Sequence, residues 1–254
     1  MSDVPESFWT SLPLGRGVQL LKHDVNGLAA FDKPAGVLSH ANSGGEEPRS
    51  LLTVKYKLEG EYFEWIPEKG GPVQRLWLLN RLDSATSGVI LVAADEALAI
   101  EIRAHFRRKQ VRKTYQTLVF GTPREPTQMW KDTMAAVKKS AQVRAVTGVG
   151  RTPAECRMTL VRSGKKEPRV SLLRLEPITG RSHQLRVQCA KRHLPIVGDQ
   201  TYGDFQANRA FAKANGTKRL FLHSLATTFE YEFKGKKHLF AVEAPLPDEF
   251  AAML

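Results

Sequence analysis

Two short apolar runs separated by a polar segment constrain this chain more than any other feature. Residues 76–79 and 89–93 have the length and composition of buried β-strands. Segment 80–88 between them contains one carboxylate, one guanidinium, three hydroxyl residues and a glycine. A loop held between two core strands can position a reactive side chain rigidly, which makes Asp83 the candidate reactive residue. The alternative is a structural Asp that caps the turn.

Composition and charge narrow the classes of protein to which the chain can belong. It has 254 residues, of which 42% are hydrophobic, and no apolar run approaches the roughly 20 residues that span a bilayer. The two cysteines give neither a disulfide framework nor a zinc pattern, and we expect a reducing, cytoplasmic location. The net charge of +12 predicts a polyanionic partner, although a non-specific basic surface is the alternative.

The order of predicted elements favours an α+β fold over a doubly wound sheet, because strands follow one another with few helices between them. Ser50, Asp95 and Ser182 are predicted helix N-caps. Loops are predicted over 59–75, loops with short strands over 121–155, and no pattern assigns 205–217. The predicted strands are 28–32, 76–79, 89–93, 113–120, 155–161, 170–176, 220–222, 227–233 and 238–242.

The sequence lacks the motifs that are typical of several kinds of active site. The seven histidines show no metal-ligand spacing with a carboxylate, so no metal site is predicted. Neither GxxxxGK nor a GxGxxG that opens a helix is present, and GxSxG is also missing, so no nucleotide cofactor or serine hydrolase site is predicted. Tyr115 on a predicted strand and Arg181 in the polar elbow 179–181 remain as candidates. From the residues alone, a tyrosine at the edge of the core is the more common interpretation of Tyr115, and Arg181 could be a surface charge or a phosphate contact.

A set of ordered motifs resembles a known family. Segment 80–88, Asn-Arg-Leu-Asp-Ser-Ala-Thr-Ser-Gly, resembles the HRLDxxTSG motif of the RluA-type pseudouridine synthases. Further segments that resemble family motifs follow the family order and extend over residues 28–250. They are DKPAG at 32–36, KTY at 113–115, TGRSHQLRV at 179–187, PIVGDQTYG at 195–203, LHS at 222–224 and PLP at 245–247.

The resemblance implies a fold and a reaction. The fold is a pseudouridine synthase catalytic domain over 28–254, with a mixed, mainly antiparallel sheet and a central RNA-binding cleft, after an irregular extension over 1–27. The chain looks like the short form of the family, without an N-terminal S4 domain. The implied reaction isomerises uridine in RNA to pseudouridine without a cofactor: the C1′–N1 bond breaks, the uracil rotates, and C5 bonds to C1′.

The resemblance also implies roles for single residues. Asp83 is the essential carboxylate, as a nucleophile or as a base on the sugar. Arg181 pairs with it, because a guanidinium within about 4–6 Å favours the ionised carboxyl. Tyr115 stacks on the uracil and helps to remove the C5 proton, and Leu185 lines a dry uracil pocket.

Two neighbours of Asp83 are implied to contact the substrate. Arg81 would occupy the space that the flipped base leaves, with a structural salt bridge as the alternative. Asn80 stands where the family usually has His, and because Asn does not titrate, we expect it to organise the loop or contact RNA.

The RNA partner is expected to be ribosomal RNA or tRNA, bound by a monomer. The predicted phosphate contacts are basic residues that could also form a merely solvated face: Arg103, Arg107, Arg108, Lys109, Arg112, Lys191 and Arg192. A catalytically silent RNA-binding protein of the same fold is the alternative function. A metal-dependent nuclease is a third hypothesis, which the lack of a ligand cluster opposes.

Overall fold

The computed structural model describes residues 4–139, 142–147, 152–164 and 168–253. The helices are α1 (Glu6–Thr10), α2 (Glu96–Arg107), α3 (Gln184–Lys191), α4 (Phe205–Asn215) and α5 (Asp248–Ala252), with a 3₁₀ turn at Glu47–Arg49. The strands are β1 (Gln19–His23), β2 (Leu28–Lys33), β3 (Lys55–Lys57), β4 (Tyr62–Trp65), β5 (Gln74–Leu78), β6 (Ser87–Ala93), β7 (Arg112–Phe120), β8 (Thr127–Lys139), β9 (Gln142–Thr147), β10 (Thr152–Ser163), β11 (Val170–Pro177), β12 (Leu222–Phe233) and β13 (Lys236–Glu243). None of these described helices has the length and apolar character needed to cross a bilayer.

The chain divides into two compact units. Unit 1 comprises residues 1–111 and 226–245, and unit 2 comprises residues 112–225 and 246–254. In unit 1, antiparallel pairing runs in the order β1–β2–β6–β5–β4–β3, and β12 pairs with β13. In unit 2, antiparallel pairing runs in the order β7–β11–β10–β8–β9. Helices combined with antiparallel ladders confirm the predicted α+β class with a mainly antiparallel sheet, whereas the implied cleft stays a prediction.

Strand β6 is the centre of the unit 1 core. Every one of its residues is buried, as the continuous apolar run 89–93 predicts. Helix α2 packs Leu98 and Ile102 into the same cluster as Leu91. This helix begins where predicted, because the Asp95 side chain accepts a hydrogen bond from the Leu98 amide at 2.8 Å.

The unit 2 core lies between apolar side chains of β7 and β11 and the two C-terminal helices. Leu118 of β7 and Leu172 of β11 belong to one buried cluster with Phe211 of α4 and Phe250 of α5. Phe221, just before β12, is in edge-to-face contact with both helical phenylalanines, at centroid distances of 5.9 and 5.2 Å. The alternating apolar residues of β7 therefore fix this strand in the unit.

Three sequence predictions in unit 1 are wrong. Ser50 does not cap a helix, because the chain forms the 3₁₀ turn before it and strand β3 after it. Segment 59–75 is not only loop: β4 lies within it and pairs with β5. The extension 1–27, expected to be irregular, contains α1 and β1, and the indole of Trp9 is buried with 1% exposure.

In unit 2, one sequence prediction is wrong, one unassigned segment forms a helix, and one predicted turn is not tested. Region 121–155 contains the long strand β8, strand β9 and the start of the long strand β10 instead of only short strands, although residues 140–141 and 148–151 lie outside the described part. Segment 205–217, which no pattern assigned, forms helix α4, capped by the Asp204 side chain. The predicted turn at 164–168 falls partly on residues 165–167, which are also outside the described part.

Replacing Gly198 by Ala tests how much a close backbone contact at this position affects the stability of the fold. A Cβ atom at this position would lie 1.7 Å from the Arg219 carbonyl oxygen, and φ is +79°. Gly216 at the end of α4 has φ +70° but no atom within 4 Å of such a Cβ. We therefore expect Gly216→Ala to cost about 1–2 kcal/mol for its left-handed backbone, and Gly198→Ala to cost clearly more. Urea unfolding of both variants measures this, and equal losses would show that the Arg219 backbone yields easily.

Candidate functional site

The Asp83 loop lies beside the turn that follows β2. Strand β2 runs antiparallel to β6, with Lys33 opposite Gly88. The end of β2 and the start of β6 are therefore neighbours, so turn 34–37 adjoins loop 80–86. Gly88 has φ +105°, a conformation that glycine adopts without strain, which lets the chain enter β6 directly after the loop.

A buried lysine holds the turn and the loop together. The side chain of Lys33 has no solvent exposure. Its ammonium donates to the carbonyl oxygens of Pro34 at 3.0 Å and Val37 at 2.7 Å in the turn, and to that of Ser84 at 3.1 Å in the loop. Three charge-assisted hydrogen bonds thus offset the cost of burying the charge.

Further hydrogen bonds fix the loop on both sides of Asp83. The Ser39 hydroxyl donates to the Leu82 carbonyl at 2.7 Å and accepts from the Leu82 amide at 2.9 Å. The Gly36 amide donates to the Ser84 carbonyl at 2.7 Å, and the Thr86 amide to the Asp83 carbonyl at 3.0 Å. Asp83 itself is half-buried. The backbone around Asp83 is therefore anchored.

Lys33 is also an electrostatic neighbour of Asp83. Burial lowers the pKa of Lys33 from its ordinary value to about 7, and the charges of Asp83 and Asp32 partly oppose this shift. Sequence reasoning quoted Lys33 only as part of a turn motif and missed this role. The sequence feature that could have indicated it is a lysine at the end of a mostly apolar strand, before Pro-Ala-Gly.

The two residues before Leu82 differ in their surroundings. The Asn80 side-chain oxygen accepts a hydrogen bond from the Leu91 amide at 2.8 Å, next to the bond from the Leu79 amide to the Leu91 carbonyl at 3.0 Å. Asn80 therefore extends the β5–β6 ladder and organises the loop. Arg81 is exposed, and the substrate contacts of both residues stay predictions.

In unit 2, the elbow 179–181 is fixed by the side chain of Gln184. Its Oε1 accepts hydrogen bonds from the Thr179 hydroxyl at 2.7 Å and from the Arg181 amide at 3.0 Å. The predicted Ser182 cap is wrong: His183 precedes α3 in a left-handed conformation (φ +55°) and makes no side-chain cap. The Gln184 amide at the start of the helix instead satisfies the backbone of the elbow.

This hydrogen-bond network extends from the elbow to a buried carboxylate on β8. The Gln184 Nε2 atom donates to Gln188 Oε1 at 3.1 Å, and Gln188 Nε2 donates to Asp132 at 2.8 Å. Asp132 also pairs with Lys191 at 2.7 Å and Arg192 at 2.9 Å. Burial alone would raise the pKa of Asp132, but these hydrogen bonds lower it below its ordinary value. Sequence reasoning missed the network, because its members are far apart in the chain.

The predicted substrate residues of unit 2 lie on three different elements. Tyr115 is half-buried on β7, opposite Leu175 of β11. Arg181 is exposed in the elbow, and its Nε atom donates to the Pro153 carbonyl at 3.2 Å. Leu185 is buried in the first turn of α3, with 7% exposure.

The predicted site residues are therefore divided between the two units. Asn80, Arg81 and Asp83 share one loop of unit 1, whereas Tyr115, Arg181 and Leu185 belong to unit 2. Their catalytic and binding roles stay predictions. Within the described ranges, no three His, Cys, Asp or Glu side chains are grouped so that they could hold a metal ion.

The basic residues predicted to contact RNA differ in their availability. The Arg103 guanidinium donates to the carbonyl oxygens of Leu78 at 2.8 Å and Glu61 at 2.9 Å, so it ties α2 to β5 and the β4 region. Lys191 and Arg192 are paired with Asp132, and Arg192 also lies 4.6 Å from the centroid of the Trp130 ring. The remaining candidates are exposed at the end of α2 and the start of β7: Arg107, Arg108, Lys109 and Arg112.

Comparisons with known proteins identify similar sequences and folds. The family model described as RNA pseudouridylate synthase matches residues 27–191. A ribosomal large subunit pseudouridine synthase C from Vibrio vulnificus (strain CMCP6) is 28% identical, over 91% of this chain and 66% of the relative. A tRNA pseudouridine synthase C from Vibrio cholerae is 31% identical, over 81% of this chain and 83% of the relative.

A solved structure shows the same fold. The human RNA pseudouridylate synthase domain containing 1 superposes with a TM-score of 0.68, over 90% of this chain and 83% of the human chain, at 20% sequence identity. This chain spans about two thirds of the length of the Vibrio vulnificus relative (66%).

Lys33 gives a pH-dependent stability test. Its pKa is about 7 in the folded protein and 10.5 ordinarily, so between these values the unfolded chain binds the proton more strongly. The stability of the wild type relative to Lys33→Met should therefore rise with pH from about 7 towards 10, and stay constant below about 6. Urea unfolding of both proteins across this range measures the difference. A difference that does not change above pH 7 would contradict the lowered pKa.

Proposed function

The chain belongs to the RNA pseudouridylate synthase family of isomerases, and we propose that it converts specific uridines of ribosomal RNA or tRNA to pseudouridine. The observation that carries the proposal is the family match over 27–191, which includes Asp83, Tyr115 and Arg181. Both RNA classes are supported, because one relative is named for the large ribosomal subunit and another for tRNA.

The proposed reaction rearranges one nucleotide and consumes no second substrate. The bond between C1′ and N1 breaks, the uracil turns within its pocket, and C5 bonds to C1′. The C5 proton then leaves and N1 ends protonated, so product and substrate are isomers. All that the protein must supply is a group that acts on the sugar, a pocket that retains the detached uracil, and a route for one proton.

Asp83 is proposed to act on the sugar, as a nucleophile at C1′ or as a base. Both roles require an ionised carboxylate at a fixed position. The anchored backbone supports that position, since Ser39 binds both polar backbone atoms of Leu82, and Lys33 binds the Ser84 carbonyl. Lys33 is also an electrostatic neighbour of Asp83.

Unit 2 is proposed to supply the groups that handle the base. Tyr115 stacks on the uracil and helps to remove the C5 proton, and Leu185 contributes apolar surface to the pocket. Arg181 serves as the charge partner of the carboxylate. Gln184 Oε1 accepts hydrogen bonds from the Thr179 hydroxyl and the Arg181 amide, which supports this role because the second bond holds the arginine's main chain at a defined position.

The target uridine must leave its stack before it can react. Flipping a base costs a few kcal/mol, which phosphate contacts on a basic surface can offset. The exposed residues Arg107, Arg108, Lys109 and Arg112 are the proposed contacts, and Arg81 is proposed to fill the space of the flipped base. Arg103 is a weaker candidate than the sequence suggested, since its guanidinium binds carbonyl oxygens within unit 1.

Modification mapping in cells tests the proposed function. RNA is isolated from wild-type, deletion and complemented cells, treated with carbodiimide, and read by reverse transcription. At least one pseudouridine in ribosomal RNA or tRNA should disappear on deletion and return with the gene. An unchanged set of sites would favour the catalytically silent RNA-binding protein.

Asp83→Asn separates chemistry from binding. We expect it to abolish pseudouridine formation in the purified protein, because an amide can neither attack C1′ efficiently nor act as a base. Affinity for RNA should change less than about threefold, which is under 1 kcal/mol. Asp204→Asn is the matched control, since Asn also caps helices well and α4 should be retained. If Asp83→Asn loses binding as strongly as turnover, Asp83 is structural.

The end of α2 gives a salt-dependence test. Changing Arg107, Arg108 or Lys109 to Ala should flatten the slope of log affinity against log salt by about 0.7–0.9 for each phosphate that the variant no longer neutralises. Arg75→Ala is the control, because the Arg75 guanidinium is paired with Glu64 at 2.9 Å. Slopes like that of the control for all three variants would remove this helix end from the RNA interface.

A further inference from the structure

Lys113 lies between the two predicted base-handling residues of unit 2, although no role has been assigned to it. It stands two positions before Tyr115 on β7, and alternate residues of a strand project from the same face. Its Nζ atom lies 3.6 Å from the position that a Cβ atom on Gly180 would occupy. The side chain therefore starts on the face of Tyr115 and ends at the residue before Arg181.

The ammonium of Lys113 differs from those of Lys33 and Lys191 in its partners. Lys33 donates to three carbonyl oxygens, and Lys191 pairs with Asp132 at 2.7 Å. Among the described residues, none accepts a hydrogen bond from Lys113 or forms an ion pair with it. Its nitrogen is also not among the fully buried unpaired atoms, so solvent or a ligand can reach it.

The environment of Lys113 makes it an electropositive position. The side chain as a whole is half-buried, and burial lowers the pKa of Lys113 below its ordinary value, with a smaller opposing effect from Cys156. A partly desolvated ammonium that no described residue neutralises gains more from an incoming anion than a fully hydrated surface lysine does. A lysine that only supported the elbow would be expected to donate to one of its carbonyl oxygens, which Lys113 does not do.

We propose that Lys113 binds a phosphate of the RNA backbone beside the nucleotide that Tyr115 and Arg181 handle. The inference rests on the proposed function, because it takes RNA to be the substrate. Lysine suits this ligand, since its compact ammonium with three donors binds phosphate oxygens as a point charge. The contact places the backbone of the substrate at the elbow and so helps to align the uridine.

The salt dependence of RNA binding tests the phosphate contact directly. The probe is a fluorescein-labelled single-stranded RNA of about 20 nucleotides that contains uridines, and fluorescence anisotropy with the full-length protein gives its affinity. Removing one phosphate interaction should reduce the slope of log affinity against log salt by about 0.7. Over a tenfold increase in salt, the wild type would then lose about fivefold more affinity than Lys113→Gln.

Two further variants control for charge and chemistry. Lys113→Arg keeps the positive charge and should keep the slope of the wild type. Lys213→Gln removes an exposed positive charge from α4 of the same unit and should also leave the slope unchanged. If Lys113→Gln has the slope of Lys213→Gln, the proposal is wrong, and a large drop in melting temperature with an unchanged slope would assign Lys113 a structural role instead.

Gly180→Ala tests the same contact without changing the lysine. The new methyl group would lie 3.6 Å from the Lys113 nitrogen, which is an ordinary contact distance, so the fold should tolerate it. It would cover part of the ammonium, and affinity for the RNA probe should fall severalfold at low salt. Unchanged affinity in a folded Gly180→Ala protein would contradict a ligand site at this position.

The outcomes for Lys113 and for the proposed function are distinguishable. The binding slope does not depend on turnover, so a protein that forms no pseudouridine can still show the Lys113 effect. In that case the proposed function fails and the RNA contact stands. If the wild type forms pseudouridine but Lys113→Gln keeps its slope, the inference fails and the proposed function stands.

Discussion

The Asp83 loop depends on a buried ammonium that binds main-chain oxygens. Lys33 is completely enclosed, and its charge is stabilised by carbonyl groups from the turn after β2 and from the loop before β6. Because these acceptors are backbone atoms, Lys33 fixes the loop without using the side chains of Arg81, Asp83 or Ser84. The antiparallel pairing of β2 with β6 makes this arrangement possible, since it places the two segments side by side.

Unit 2 fixes its elbow by a different kind of interaction. Here the side-chain amides of Gln184 and Gln188, one helical turn apart, connect the Thr179 hydroxyl and the Arg181 main-chain amide to the buried carboxylate of Asp132. Each donor of the two amides finds an acceptor, which a buried polar network needs if it is to stabilise a fold. In the Asp83 loop, Lys33 binds a main-chain carbonyl oxygen. In the elbow 179–181, the side chain of Gln184 binds the main-chain amide of Arg181. Both segments are therefore anchored through main-chain atoms.

The sequence predicts the elements that have strong local patterns. Apolar runs and alternation predict strands β2, β6 and β7, and the Asp95 cap predicts the start of helix α2. The ends of all four elements lie within three residues of the predicted ends. Strand β4 was missed because the breakers Pro67, Gly70 and Gly71 suggested loop throughout 59–75, whereas its stability comes from pairing with β5. The roles of Lys33 and Asp132 could not be predicted, since their partners are defined only by long-range packing. Motifs predict Tyr115, Arg181 and Asp83 as site residues, because each lies in a segment with a distinctive local pattern.

Release of tritium from RNA labelled at C5 of uridine tests the central claim most directly. If C5 bonds to C1′ of the same nucleotide, the hydrogen at C5 must leave to solvent in each turnover. The purified protein, incubated in EDTA with C5-tritiated RNA isolated from cells that lack the gene, should release tritium, and Asp83→Asn should release none. Equal release by wild type and Asp83→Asn, or no release with any cellular RNA, would contradict the assignment of this loop as the catalytic centre of a pseudouridine synthase.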